Sequence, residues 1–193
     1  LRNPLNIATG RLELFSREHD SEHIHAIEES LSRMEDLIED VLTLARDGVQ
    51  VETMTDLGLA ETARDAWSTV ETPAAELVVV DNGRIRGDES RLRQLLENLF
   101  RNAIDHGGAD VTVRVGLLAN ADGFYVADDG DGIPESRREQ VFEAGYTTSD
   151  AGTGFGLRIV TDIATAHGWT VAALEGTDGG ARFEFEQVGV VDA

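Results

Sequence analysis

The 193 residues carry 37 acidic side chains against 16 basic ones, all of them arginine, for a net charge of −21 and no cysteine. That balance excludes a disulfide framework and thiolate metal sites. It also predicts no nucleic-acid partner and no contact with an anionic membrane, since the chain cannot neutralise phosphates by counterion release. No apolar run approaches the ~20 residues of a membrane span, so this stretch is expected to be soluble and cytoplasmic, any membrane anchor belonging to segments upstream of Leu1.

The chain opens on a helical pattern. Leu1, Leu5, Ala8, Leu12 and Phe15 recur at alternating spacings of three and four, and Ile24, Ile27, Leu31, Met34, Ile38, Val41 and Ala45 continue it. This is a heptad seam. His19, Asp20 and Ser21 form a turn between the two runs, with Ser21 as helix cap. Residues 1–46 therefore read as a helical hairpin. Two short seamed helices bury little alone, so they are expected to form half of a homodimeric four-helix bundle. A hairpin packed on its own domain is the alternative.

Residues 47–55 lack periodicity and read as a linker to a second domain over 56–193. Leu57, Ala60, Ala63, Trp67 and Val70 predict a helix, and ELVVVDNGRIRG a β-hairpin around Asn82-Gly83. A helix follows from the cap Asp88 to about Asp105, with Leu92, Leu95, Leu96, Leu99 and Ala103 on one face. Val111, Val113, Val115 and Leu117 alternate as a strand, and a turn at Asn120–Gly123 leads to another. A helix from about Phe155 to His167 precedes strands at Trp169–Leu174 and Ala181–Glu186. The fold class is α+β, a helical hairpin followed by a two-layer α/β sandwich with an antiparallel or mixed sheet.

Three stretches depart from simple packing patterns. In NLFRNAIDH, Asn98 and Asn102 lie one helical turn apart and point the same way, beside the leucine stripe. Two neutral amide oxygens there could orient a hydrated magnesium ion, although paired asparagines on helices are more often simply solvated. In FYVADDGDGIP, Asp128 shares a strand face with Phe124 and Val126. A carboxylate on an apolar face needs a partner, and a ligand amino group would serve. Gly130 and Gly132 then permit a tight turn with close backbone approach. The bland reading is an Asp-Gly turn with Asp129 and Asp131 in water. In GTGFGL, the glycines Gly152, Gly154 and Gly156 free backbone N–H groups to face an anion at a helix N-terminus. A flexible loop before a helix is the ordinary alternative, and the lysine of a P-loop is missing. Together, in this order, the three stretches offer metal, amino-group and phosphate contacts. The complementary ligand is a magnesium–adenine nucleotide.

These stretches carry a resemblance to the sensor histidine kinases of two-component systems. NLFRNAIDH resembles that family's N box, DDGDGIP its first glycine box, VFEAGYTT its F box and GTGFGL its second glycine box. Order and spacing agree over nearly the whole chain. The resemblance implies a Bergerat-type ATP-binding domain, with ATP and Mg2+ as ligands. By the same resemblance Asp128 takes the adenine amino group, and Asn98 and Asn102 hold the metal. Gly130 and Gly132 form the turn, and Gly152, Gly154 and Gly156 line the phosphates, with Thr153 and Leu157 completing that box. Residues 131–153 become a lid, packed by Phe142 and reaching phosphate through Arg138. LRNPL resembles the end of the H box, whose phosphoacceptor histidine stands two places before Leu1. Asn3 matches the position that orients water to dephosphorylate a partner response regulator, and Pro4 the helix-bending proline. His19, His23 and His25 lie away from that box and read as solvated turn histidines.

Two departures weaken the phosphate contacts: Asp105 and Ser149 stand where the family often has lysine. The implied function is a homodimeric histidine kinase core that passes phosphate from ATP to histidine and then to a response-regulator aspartate. The fragment itself is expected to bind ATP without phosphorylating itself. The alternatives are a Bergerat-fold ATPase, or a silent nucleotide-binding or docking module. ATPase relatives carry a general-base glutamate where this chain has Asn98, which favours the kinase. The acidic, lysine-free surface is similar to that of proteins from salt-loving organisms.

Overall fold

The computed structural model describes residues 2–16, 50–70, 74–119, 122–147 and 153–191, with isolated positions between 21 and 38. Helix α1 spans Arg2–Ser16. Residues 23, 24, 27, 30, 31, 34 and 38 are also helical, in keeping with a second seamed helix. Ile7, Leu14, Phe15, Ile27 and Met34 are exposed on these helices. The predicted turn around His19 and Asp20 lies outside the described residues, as do residues 41–49 of the seam and linker.

From residue 55 the chain forms a layer of helices over two sheets. Its order is β1 (Thr55–Gly58), α2 (Leu59–Trp67), β2 (Glu76–Val79), β3 (Arg84–Gly87), α3 (Glu89–Gly107), β4 (Thr112–Leu117), β5 (Gly123–Asp128), α4 (Gly156–His167), β6 (Thr170–Glu175), β7 (Ala181–Glu186) and β8 (Val190–Val191). Single 3₁₀ turns occupy Glu135–Arg137 and Gln140–Phe142. The main sheet has five strands in the order β2-β4-β5-β7-β6, and a small second sheet runs β1-β3-β8. Antiparallel pairs join β4, β5, β7 and β6, while β2 pairs parallel to β4, so the sheet is mixed.

Period-two patterning builds the inner face. Val113 and Val115, Phe124 and Val126, and Ala181, Phe183 and Phe185 are all buried. Phe124 stacks on Phe185 at 4.6 Å and meets the Trp169 ring edge-on at 5.8 Å. Against this face lies the α3 stripe of Leu92, Leu95, Leu96, Leu99 and Ala103. Phe100, on the flank of that stripe, is fully buried against Trp67 of α2, with ring centroids 5.1 Å apart. Helix α3 is thus covered on two sides, which fixes its rotation and so the direction in which Asn98 and Asn102 point. Asp88 caps it, accepting from the Ser90 and Arg91 amides.

Two expectations are corrected. Asn82-Gly83 does not close a hairpin, because β2 and β3 belong to different sheets. The apolar run before it pairs parallel with β4, Leu77 opposite Val113 and Val79 opposite Val115, with α3 supplying the crossover such pairing requires. Asp81 accepts from the Leu117 amide, and the Gly83 carbonyl accepts from the Leu59 amide, so the turn residues serve other elements. Leu57 belongs to strand β1, not to the following helix, because Thr55–Gly58 find an antiparallel partner in β3. The short strand β8 also escaped the sequence reading, its two residues pairing with β3.

Candidate functional site

Helix α3 aims two amides at the start of α4. Asn98, only 8% exposed, donates through Nδ2 to the Gln94 carbonyl at 2.8 Å, which leaves its Oδ1 free to face outward. A Cβ placed on Gly156 would lie 3.3 Å from Asn98 Oδ1 and 3.5 Å from Asn102 Oδ1. The two oxygens therefore converge at the first residue of α4, and only a glycine leaves that space open. The buried Nδ2 of Asn102 has no hydrogen-bond partner. An orphaned buried amide is costly in a finished fold and ordinary in a site awaiting ligand. Two convergent neutral oxygens beside a helix N-terminus fit a hydrated magnesium ion carried on phosphate.

Asp128 ends β5, and its Oδ1 accepts from the Gly130 and Ala181 amides, each at 3.0 Å. Among the described hydrogen bonds none engages Oδ2. Burial raises the carboxyl pKa above its ordinary value, the two amide bonds opposing it only in part. Glycines crowd the other side. A Cβ on Gly180 would strike the carbonyl and carboxylate of Asp128, and one on Gly130 would lie 2.5 Å from the Gly107 backbone. Gly132 adopts φ +72 and approaches the Gly179 carbonyl, so the Asp-x-Gly-x-Gly turn interlocks with the β6–β7 turn.

Gly154 also has a positive φ, +72, and its carbonyl accepts from the Gly145 amide at 2.9 Å. The Thr153 hydroxyl accepts from the Phe155 amide at 3.3 Å, shaping the entry to α4. The Gly156, Leu157 and Arg158 amides open this helix, whose dipole favours an anion there.

These pieces surround one cavity of about 300 Å³. Asn98, Asn102, Asp128, Gly132, Thr153, Gly154, Gly156 and Leu157 all line it. Gly130 stands behind Asp128 rather than in the wall. Phe142 packs edge-on against Phe183 at 6.3 Å and supports the wall from outside. Gly152 and Ser149 lie outside the described residues, and so does the side chain of Asn3, whose backbone belongs to α1.

Arg138 does not line the cavity. Its Nε donates to the Ile133 carbonyl at 3.0 Å and its Nη2 pairs with Glu175 at 3.4 Å. The 3₁₀ turn at Glu135–Arg137 presents Arg137 instead, and Arg101 of α3 joins it in the wall. Sequence reasoning also missed Ile133, Tyr146, Ala181 and Phe183, which supply lining from distant elements. Two arginines in consecutive positions carried no local sign of which would face inward. Asp105 does line the cavity, and burial raises its pKa against the opposing charges of His106 and Arg101. Glu97 is turned away: it accepts from the Thr69 hydroxyl at 3.0 Å and pairs with Arg93.

Known proteins resemble this chain over most of its length. Residues 87–188 match the family described as "Histidine kinase-, DNA gyrase B-, and HSP90-like ATPase", and residues 1–49 match the "His Kinase A (phospho-acceptor) domain". The sensor-type histidine kinase PrrB of Mycobacterium tuberculosis is 36% identical over 161 residues, covering 81% of this chain and 35% of the relative. The sensor protein RstB of Escherichia coli is 33% identical over 202 residues, covering 96% of this chain and 46% of the relative. The chain thus spans less than half the length of these relatives. Among solved structures, full-length ShkA in complex with AMPPNP superposes with a TM-score of 0.70 at 27% identity, covering 100% of this chain and 44% of that one.

Proposed function

The chain belongs to the sensor histidine kinase family, and from that premise we propose that it is the dimerisation and catalytic core of a two-component kinase. It binds ATP, passes the γ-phosphoryl group to histidine, and hands it on to an aspartate of a response regulator. The observation that carries this reading is the cavity itself. Asp128, the converging amides of Asn98 and Asn102, and the N-terminus of α4 all line this one cleft.

Asp128 accepts from the exocyclic amino group of adenine, its other oxygen being tied to Gly130 and Ala181. Ile133, Leu157 and Phe183 offer apolar walls for the base. The Gly154 and Gly156 backbone and the α4 dipole receive the phosphates. Arg101 and Arg137 take the place of the lysines the chain lacks. Asn98 and Asn102 would hold Mg2+, which supplies neutralisation of the triphosphate charge. Catalysis is then positioning and charge compensation: an imidazole nitrogen attacks the γ-phosphorus as the bond to ADP breaks. The position at which the ATPase relatives carry their water-activating glutamate holds no carboxylate here. Glu97 is held by Thr69 and Arg93, and the neighbouring inward position is the amide Asn98. That arrangement favours phosphotransfer over hydrolysis.

By the H-box resemblance of LRNPL the acceptor would be that box's histidine, and Asn3 would serve dephosphorylation of the regulator. The exposed apolar residues of the first 46 positions form the homodimer contact. Titration calorimetry with ATP, with and without Mg2+, tests the site. Radiolabel transfer tests the reaction: the chain as it stands binds ATP but takes no stable label, while a longer chain with its histidine does, and passes the label to a regulator. Absence of ATP binding, or stable labelling of residues 1–193 alone, would overturn the proposal.

A further inference from the structure

Asp88 is a buried carboxylate, 6% exposed, and its two oxygens do different work. Oδ1 caps α3, accepting from the Ser90 amide at 3.1 Å, the Ser90 hydroxyl at 2.8 Å and the Arg91 amide at 3.2 Å. Oδ2 reaches 35 and 36 residues back along the chain. It accepts from the amides of Glu52, at 3.0 Å, and Thr53, at 3.3 Å. Helix capping does not need this second set of bonds. They hold the segment that connects the helical hairpin to the catalytic domain.

One turn into α3, Arg91 adds a third bond to the same segment, Nε donating to the Gln50 carbonyl at 3.2 Å. Its Nη1 donates to Gln94 Oε1 at 3.1 Å, and the Gln94 carbonyl receives Asn98 Nδ2 at 2.8 Å. Residues 91, 94 and 98 follow one another on a single helical face. Arg91 thus ties the connecting segment to the Gln94 side chain, while Asn98 is held by the Gln94 main-chain carbonyl, a bond that does not depend on that side chain. The Asp88 amide also donates to His167 Nε2 at 3.0 Å, which ties in the far end of α4. His167 is fixed in turn by its Nδ1 contact with the Ile163 carbonyl and by stacking on Trp169 at 4.1 Å. The segment, the N-terminus of α3 and the C-terminus of α4 meet at this one residue.

We propose that Asp88 and Arg91 are positioning residues that clamp residues 50–53 to α3 and so set how the ATP site is presented to the hairpin histidine. The inference rests on the kinase reading above. The clamp touches neither adenine nor phosphate, so it governs the transfer step and leaves nucleotide affinity alone. Small misplacement of reacting groups is enough to slow such a step by about a hundredfold.

Asp88→Asn separates the two roles of the carboxylate. Asparagine is as good an N-cap as aspartate, so its oxygen keeps the Ser90 and Arg91 bonds. Its amide NH2 then faces the Glu52 and Thr53 N–H donors, and the clamp is lost. In a chain extended to include the upstream histidine, phosphorylation at saturating ATP should slow by about tenfold or more. The ATP dissociation constant, measured by calorimetry, should stay within about twofold of the parent. Hydrogen exchange should speed up at the Glu52 and Thr53 amides and stay slow at Ser90 and Arg91. Arg91→Ala, which leaves the cap intact, should give the same split between rate and affinity and stands in if the first variant folds poorly. Unchanged phosphorylation despite deprotected Glu52 and Thr53 amides would overturn the proposal, as would a loss of ATP affinity matching the loss of rate. Failure of the parent chain to bind ATP would instead count against the kinase reading, since the exchange measurement needs no nucleotide.

Discussion

Replacing Asp128 by asparagine should weaken ATP binding strongly without unfolding the protein. In the parent, Oδ1 is committed to the Gly130 and Ala181 amides, each at 3.0 Å. An asparagine would keep its oxygen on those two donors, because they converge on one point and only an acceptor satisfies them. Its Nδ2 would then occupy the Oδ2 position and present a donor to the donor amino group of adenine. A hydrogen bond to a charged group contributes about 1.5–3 kcal/mol, so affinity should fall by roughly 10- to 150-fold. Stability should move the other way. Burial raises the Asp128 pKa, which means that the folded state prefers the neutral form. Above the unfolded carboxyl pKa the buried charge therefore costs stability, and asparagine removes that cost. Calorimetric ATP titration alongside thermal unfolding at pH 7 reads both quantities. A dissociation constant within about threefold of the parent, or a fall in melting temperature parallel to the fall in affinity, would refute the assignment of Oδ2 to the ligand.

Other perturbations have equally definite outcomes. Asn102→Ala removes a buried amide that already lacks one partner, so its stability cost should stay below about 1 kcal/mol while Mg2+-dependent ATP affinity drops; equal loss with and without Mg2+ would contradict the metal role. The many amide and hydroxyl donors on Asp88 outweigh its burial and lower its pKa to about 2. The charged carboxylate therefore contributes about 2 kcal/mol, fully present above the unfolded value near 3.9 and lost as pH falls through 2. The stability gap between parent and Asp88→Ala should narrow over that window, and a gap constant from pH 5 to pH 2 would be the contrary result. With a net charge of −21, the folded chain repels itself, and raising NaCl toward 1 M, where the screening length shrinks to about 3 Å, should raise the melting temperature. A maximum in dilute buffer would show that the acidic surface is not adapted to salt.

Much of the molecule was legible in its residues because the signals were local. Periodicity marked α3, α4 and strands β4, β6 and β7 to within about two residues. The glycines of DGDG and GTGFG marked backbone that must turn sharply or approach something closely, and Gly132 and Gly154 do carry positive φ. Asn98 and Asn102 share a face because four residues make about one turn of helix. Asp128 stood out because a carboxylate on an apolar strand face demands a partner.

What tertiary structure alone decided was the choice among locally equivalent options. Asn82-Gly83 is a good hairpin turn in isolation, yet the strand before it finds a parallel partner 36 residues later, and pairing energy outweighs turn preference. Arg137 and Arg138 are chemically alike, and only the 3₁₀ turn with the Ile133 carbonyl and Glu175 determines which one faces the cavity. Gly180 and Ala181 complete the Asp128 pocket from more than 50 residues away. Asp88 was readable as a cap from its place before a helix, but its second oxygen was not, since its partners Glu52 and Thr53 lie 36 and 35 residues away, next to the strand β1 that pairs with β3. Local chemistry names the groups a site needs. Long-range pairing, which depends on the whole chain folding at once, determines which copies of those groups arrive there.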